Sequence, residues 1–520
     1  MARRNRSKPG AETVDAVPVR RWFGFLASQQ AQAIALPVTL LFGVLIRWCV
    51  SLHGYSGRGS PPLFGDYEAQ RHWMELTVHL PPSRWYYYDL QYWGLDYPPL
   101  TAFQSWICGK VAQLIDPSWV ELDTSRGIET HASKLFMRAS ALVFEFLILV
   151  PPTILLFERS RRLSWVARQT AIFSVLLQPC LLLVDHGHFQ YNSVMLGFLV
   201  WAVYFAAREQ YVLMAVAFCC SFMFKQMGLY YAPAVFFFLL AKCFQPRHGA
   251  VLFIKLGLAV LVTIGVMLLP WMSDLDQLRQ ILTRVFPVAR GLYEDKVANI
   301  WCALNVVIKL RSIFGPQTLV RLATGATALA FIPSCAHLFV TIRRLASSGV
   351  SNDRACVLLC YCLLNTSLAF FLFSFQVHEK SILLPLAPAL LLIDKEEQAV
   401  NFFVQVALFS MYPLLFRDGL QIPYWVMAIS WSFLRGCPAC PANRRISPAV
   451  VRVQWMGTVA MVAIHLAHAF IPPPVSLPDI YVVLNVVFSC GMFTAFLAYF
   501  NYRQFAYSRS EAPTPKQKTQ

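Results

Sequence analysis

Residues 64–101 read FGDYEAQRHWMELTVHLPPSRWYYYDLQYWGLDYPPLT. Carboxylates, cations and aromatic rings crowd this stretch, which directly follows the first long apolar segment, about Ala33–Leu52. Most of the chain beyond it is oil-like. A connection this polar in a sequence this apolar is where chemistry would be done, and the segments around it decide what holds it in place.

Those segments read as membrane spans. The chain has 520 residues, 57% of them hydrophobic and only 14% charged, and its mean hydropathy of +0.51 is far above that of soluble domains. Apolar runs long enough to cross a bilayer recur to the C-terminus, and most connections between them are too short to fold separately. The expected class is therefore an all-α polytopic membrane protein. A single membrane-embedded domain is expected over residues 31–500, between a basic disordered N-terminus (1–30) and a short tail (501–520). The first apolar run is as long as a true span, so it is expected to remain as a signal anchor.

A net charge of +17 raises the question of nucleic acid. The cations answer it by gathering in alternate connections, among them Arg3, Arg4, Arg6 and Lys8, then Arg159, Arg161, Arg162 and Arg168, then Arg343 and Arg344. That is the positive-inside pattern of a membrane protein, and no nucleic-acid partner is expected. Applied along the chain, the rule gives about fourteen crossings with both termini cytosolic. A long first luminal loop, 53–134, is expected to carry amphipathic helices at the membrane surface, and a second luminal loop spans 271–299. Residues 300–313 are short and interrupted by Asn305, Lys309 and Arg311, as in a re-entrant piece. The C-terminal Lys516 and Lys518 form a KxKxx arrangement similar to a dilysine retrieval signal, so coat-type retrieval machinery is an expected partner.

Three polar clusters share the luminal face under this topology: Asp66 to Asp96, Arg290 to Lys296, and Gln376 to Lys380. Ionisable groups beside a bilayer are costly unless paired or functional. Their chemistry suits displacement at a phosphate-linked sugar. A carboxylate such as Asp66 can take the proton of an incoming hydroxyl, while Arg290, Lys296 or protonated His378 can stabilise the departing phosphate. The bland alternative is that Asp66 caps a helix and Asp96 closes the turn before Pro98 and Pro99. Asp274 and Asp276 form a DxD that reads as a solvated turn, and Cys437 and Cys440 form a lone CxxC without further ligands. No metal site or other cofactor is expected. Lys225 and Gln226 read as a snorkelling anchor in preference to part of the site, and His186 and His188 as hydrogen-bonding groups at the membrane surface.

The blocks FGDYEAQRHWME (64–75), WGLDYPPL (93–100), HFQYN (188–192), GLYEDKVAN (291–299) and QVHEK (376–380) together resemble the eukaryotic dolichyl-phosphate-glucose-dependent glucosyltransferases, GT-C fold enzymes of glycosyltransferase family 57. The resemblance runs from about residue 35 to 500 with the blocks in order. It implies transfer of glucose from dolichyl-phosphate-glucose, in α-1,3 linkage and with inversion, to a lipid-linked oligosaccharide of nine mannoses and two N-acetylglucosamines. The first two blocks look like the enzyme adding the first glucose; its sibling adding the second is the nearest alternative. By the same resemblance Asp66 is the general base, Asp96 a supporting carboxylate, and His378 lies near the donor phosphate, with Arg290 and Lys296 as helpers. Glu68, Tyr97 and Gln376 fall in the same blocks as substrate-binding candidates. The site would lie on the luminal side of the endoplasmic reticulum membrane, with membrane lipids around it. A transporter or scramblase of lipid-linked sugars is the competing class, but no internal repeat is visible and the polar groups sit in loops.

Overall fold

The computed structural model describes residues 17–160, 162–244, 249–286, 296–347, 352–436 and 448–510. Arg290, the Cys437–Cys440 pair and the C-terminal lysines lie outside them. All regular structure among the described residues is helical.

Nine helices among these residues are long and apolar enough to cross a membrane, the first being Gln32–Ser51 and the last Ile480–Arg509. Two shorter helices, Asn192–Ala207 and Tyr211–Phe224, are also apolar, and Leu383–Leu391, Glu397–Ser410, Tyr412–Arg417 and Gln421–Arg435 are further short helices. Residues 300–313 break into two brief helices, Ile300–Asn305 and Leu310–Ile313. Prolines account for other interruptions. The long span His131–Glu158 changes helix at Leu149, just ahead of Pro151 and Pro152, neither of which can donate to the preceding turn.

Burial separates inner from outer helices. In Trp165–Phe189 and Asn352–Phe373, 83% of the most apolar window is buried by the protein itself, against 6% in Gly249–Trp271. A helix that is apolar all round must face either core or lipid; the first two form the centre, and the third presents its surface outward. The central helix Trp165–Phe189 is not regular to its end. After Pro179 its backbone widens into a π-type turn over Leu182–Phe189, every residue of which is buried. Wide turns of this kind re-aim side chains that a regular helix would place elsewhere.

A polar knot fastens this centre. Arg47, on the first long helix, donates from Nε and Nη2 to both carboxylate oxygens of Glu145 at 2.7 and 2.5 Å, and Nη2 also reaches the carbonyl of Leu176. His186 Nε2 lies 2.6 Å from the same carboxylate. Three spans are thereby tied by one buried, mutually satisfied group of charges.

The connection between the first two long helices folds over one end of the bundle. Its helices Asp66–His79 and Pro99–Ile115 pack against each other. A separate apolar cluster of Trp73, Leu76, Trp85 and Tyr86 is completed by Trp271, Ile281 and Val285 from the 269–285 segment. Trp271 donates through Nε1 to the carbonyl of Pro82 at 2.8 Å. Arg71 anchors the first of these helices internally, pairing with Glu68 and Glu75 and donating to Ser125 at 2.6 Å.

Candidate active site

Asp66 is the first residue of its helix, and the backbone ahead of it is tightly constrained. Gly65 has φ of 79°, a region open to glycine, and a Cβ there would stand 2.8 Å from the Ser56 hydroxyl. That hydroxyl accepts the Asp66 backbone N–H at 3.1 Å. The helix start is thus satisfied by Ser56, and the Asp66 carboxylate is released from capping to act elsewhere.

Three groups converge on a single oxygen of that carboxylate, Oδ2. Gln190 donates its amide at 2.6 Å, His188 approaches through Nε2 at 2.9 Å, and the Lys380 ammonium forms a salt bridge. No described residue donates to Oδ1. Behind these partners stands a second layer. His188 Nδ1 lies 2.5 Å from Oδ2 of Asp418, while the carbonyl oxygen of the Gln190 side chain accepts from Lys225 at 2.6 Å. Lys225 also donates to Asn192 at 2.8 Å and rests over the ring of Tyr97, 4.7 Å from its centre. Asn192 in turn donates to Asp185 at 2.9 Å.

These groups come from the ends of different helices: Asp66 from the first loop, His188 and Gln190 from the wide turn, Lys225 from the break after Phe224, Lys380 from the turn after Phe373, and Asp418 from the turn after Arg417. The side chains of His188 and Asp418 are 3% and 4% exposed, whereas those of Asp66 and Lys380 are 26% and 20% exposed. The site therefore has an open front, formed by Asp66 and Lys380, and a sealed back.

Burial by itself would raise the Asp66 carboxyl. The adjoining Lys380 charge and the bond to His188 outweigh it and hold this carboxyl well below the usual carboxylate range. Burial likewise works to lower the Lys380 ammonium, but the Asp66 charge keeps it above its ordinary value. The result is an ionised carboxylate with one oxygen fully engaged and the other available to a hydroxyl, next to a cation.

The other residues singled out in the sequence are distributed unevenly. Tyr97 reaches the cluster through Lys225. Asp96 lies within electrostatic reach of Lys225, and its backbone carbonyl receives Gln226 Nε2 at 3.5 Å. His378 opens the short turn Glu379–Ile382 that carries Lys380, and Gln376 just before it adopts φ of 60°. Glu68 is turned into the loop, bonded to Arg71 and to the Tyr92 hydroxyl. Lys296 pairs with Asp479 on an exposed edge, both side chains about half exposed. Asp274 caps the helix Leu275–Val285 by accepting the Asp276 N–H at 2.9 Å.

Two expectations need correction. Lys225 is not a snorkelling anchor: it is 2% exposed and saturated by Gln190 and Asn192. His186 and His188 do serve as hydrogen-bonding groups, but within the protein and not at an exposed surface, being 1% and 2% exposed in the wide turn. The blocks HFQYN and QVHEK do contain His188, Gln190 and Lys380, whereas Lys225 and His186 lie outside them. Asp418 had no such mark. Arg417-Asp-Gly419 reads as an ordinary surface turn, and only the fold brings it behind His188.

Among the described residues, no group of three His, Cys, Asp or Glu side chains is placed to hold a metal ion. Comparison with known proteins then fixes the lineage. Residues 43–499 match the model of the ALG6, ALG8 glycosyltransferase family. The chain is 41% identical over 500 residues to the probable dolichyl pyrophosphate Man9GlcNAc2 alpha-1,3-glucosyltransferase of Schizosaccharomyces pombe, covering 94% of this chain and 95% of that one. It is 40% identical to the dolichyl pyrophosphate Man9GlcNAc2 alpha-1,3-glucosyltransferase of Gallus gallus, and 39% identical to that of Rattus norvegicus; each of those alignments covers 90% of this chain and 96% of the relative. With a match this long around a carboxylate of this geometry, the chain belongs to the ALG6, ALG8 glycosyltransferase family.

Proposed function

We propose that this protein transfers glucose from dolichyl-phosphate-glucose to lipid-linked Man9GlcNAc2-diphosphodolichol in α-1,3 linkage, with inversion at the transferred carbon. The observation that carries this reading is the end-to-end similarity to relatives whose names specify that acceptor and that linkage. The same names favour addition of the first glucose over the second, and an enzyme over a transporter.

In this reading Asp66 is the general base. Its Oδ1 takes the proton of the acceptor hydroxyl as the hydroxyl oxygen attacks the anomeric carbon from the face opposite the phosphate. The phosphate departs with the bonding electrons and needs no proton, so one carboxylate suffices. Fixed cations beside the leaving group lower the barrier further. His378 is assigned to the donor phosphate, with Lys296 and Arg290 as helpers. Asp96 supports the base from the far side of Lys225, and Glu68, Tyr97 and Gln376 are the remaining candidates for substrate contact.

The proposed architecture is a GT-C fold of about fourteen crossings. It comprises one membrane-embedded domain over 31–500, its site on the luminal side of the endoplasmic reticulum membrane and both termini cytosolic, where the C-terminal lysines would meet the retrieval machinery. The convergence of Asp66, His188, Lys225, Lys380 and Asp418 supports it, because the charge rule assigns all five inter-helix segments to one side.

The decisive experiment is transfer by the purified protein with dolichyl-phosphate-glucose and acceptors bearing either no glucose or one. Product from the unglucosylated acceptor alone is expected. Product from the monoglucosylated acceptor alone would reassign the chain to the second-glucose reaction, and none from either would remove the enzyme reading.

A further inference from the structure

The arrangement at Asp66 contains an apparent conflict. A base must be available for a proton, yet Asp66 is neutralised by a lysine. The way the three partners of Oδ2 are held resolves it. Gln190 is fixed from behind by Lys225, and His188 by Asp418, so neither can leave Asp66 without disturbing a second buried contact. Lys380 has no comparable tether. Its other described contact within this cluster is His188 Nε2 at 3.1 Å, and it stands at the open front of the site. Of the described partners of Asp66, it is the one placed to exchange one anion for another.

We propose that Lys380 is a shared cation, held by Asp66 in the arrangement seen here and handed to the donor's phosphate when the donor binds, which releases Asp66 to accept the hydroxyl proton. This rests on the glucosyl-transfer reading above. The donor is a phosphodiester, an anion that competes directly with a carboxylate for an ammonium. The bond changes are complete without any further reactant. The hydroxyl oxygen bonds the anomeric carbon, the bond from that carbon to the phosphate oxygen breaks with its electrons on the phosphate, and the proton passes to Asp66. The hand-off makes the base strong only when a donor is present, and it places the cation where negative charge develops.

Among the described residues, the charges facing Asp66 are few. His188 and Lys380 touch it, Glu379 adjoins Lys380, Asp418 lies behind His188 and Lys225 behind Gln190. Asp185 and Asp96 act on Lys225. All except Lys380 keep their places in the proposed exchange.

Binding of dolichyl phosphate, measured by titration without catalysis, tests the competition. Lys380→Met should weaken binding at least 10-fold. Asp66→Asn should tighten it about 3-fold or more, because the lysine loses its internal partner. The double variant should bind no more tightly than Lys380→Met alone. Unchanged or weaker binding by Asp66→Asn would overturn the proposal.

Kinetics give the second readout. The acid limb of kcat/KM reports the free enzyme, and that of kcat the complex. In the wild type the kcat limb should lie at least one pH unit higher, in Lys380→Met the gap should close, and Lys380→Arg should preserve it. Coincident limbs in the wild type, or a gap that persists in Lys380→Met, would overturn the hand-off. Failure of the wild type to transfer glucose would instead strike the functional reading, while the binding titration still decides whether lysine and phosphate compete.

Discussion

His188 joins two carboxylates that are far apart in the chain: its Nδ1 lies 2.5 Å from Asp418 and its Nε2 2.9 Å from Asp66. One imidazole, 3% exposed, thus connects the candidate base to a residue 230 positions beyond the histidine itself. A carboxylate on one ring nitrogen fixes the orientation of the other, and that orientation is transmitted to Asp66.

Asp418→Asn keeps the shape of this support and removes its charge. The expected result is a loss in glucosyl transfer of about 10- to 100-fold, taking as guide the range for outer partners of metal-bound histidines. Unfolding temperature should stay within a few degrees of the wild type. Steady-state assay and thermal unfolding of the same preparation check both halves, and full activity would mean that Asp418 merely fills a turn.

Asp66→Asn should lower transfer by about a thousandfold or more, since a positioned base contributes about 10² to 10⁴. Folding should survive, because Gln190 and His188 are held by their own second partners. Activity above a tenth of the wild type in a radiolabelled-glucose assay would take the base role away from Asp66.

Much of this was legible in the sequence for a physical reason. Span length and loop charge are local properties, and so is the density of ionisable groups that marked Asp66 and the 376–380 segment. The pairings were not local. Lys380 and Asp66 are 314 residues apart, and nothing in either neighbourhood states that the two turns meet. Lys225 was misjudged because a lysine at the end of an apolar run has two solutions, reaching outward to water or inward to Gln190 and Asn192, and composition does not distinguish them. Asp418 is the extreme case, a residue whose surroundings read as a solvated turn although its side chain is 4% exposed.

Acid should loosen the first loop through Glu75. Burial would raise this carboxyl, but the bond to His72 and the charge of Arg71 bring it down to about 2 from an ordinary 4.5. Because the folded value is the lower one, the stabilisation is complete above the unfolded value and fades as pH falls from about 5 toward 2. It is worth on the order of 3 kcal/mol. Glu75→Gln should therefore be less stable than the wild type at pH 7, and the two should converge only as pH falls below about 2. Limited proteolysis between residues 80 and 98 at each pH measures this; a difference that stays constant with pH would exclude Glu75 as its source.

The Arg47–Glu145 pair permits a sharper test of what holds the central spans. Both side chains are essentially inaccessible, at 2% and 0% exposed. Removing one partner strands a buried charge, which costs about 3–5 kcal/mol, whereas replacing both with apolar residues of similar volume is often neutral. Arg47→Met alone should thus depress the unfolding temperature strongly. The double variant Arg47→Met with Glu145→Met should recover most of that loss, less the bond that His186 makes to Glu145. Thermal unfolding in detergent for the two single variants and the double yields the coupling energy directly. Strong coupling means that the charges stabilise chiefly by satisfying each other. Additive losses would mean that Arg47 acts through its other bond to a neighbouring span, the Leu176 carbonyl at 2.7 Å, and that the join between the first and third spans depends on a backbone bond more than on an ion pair.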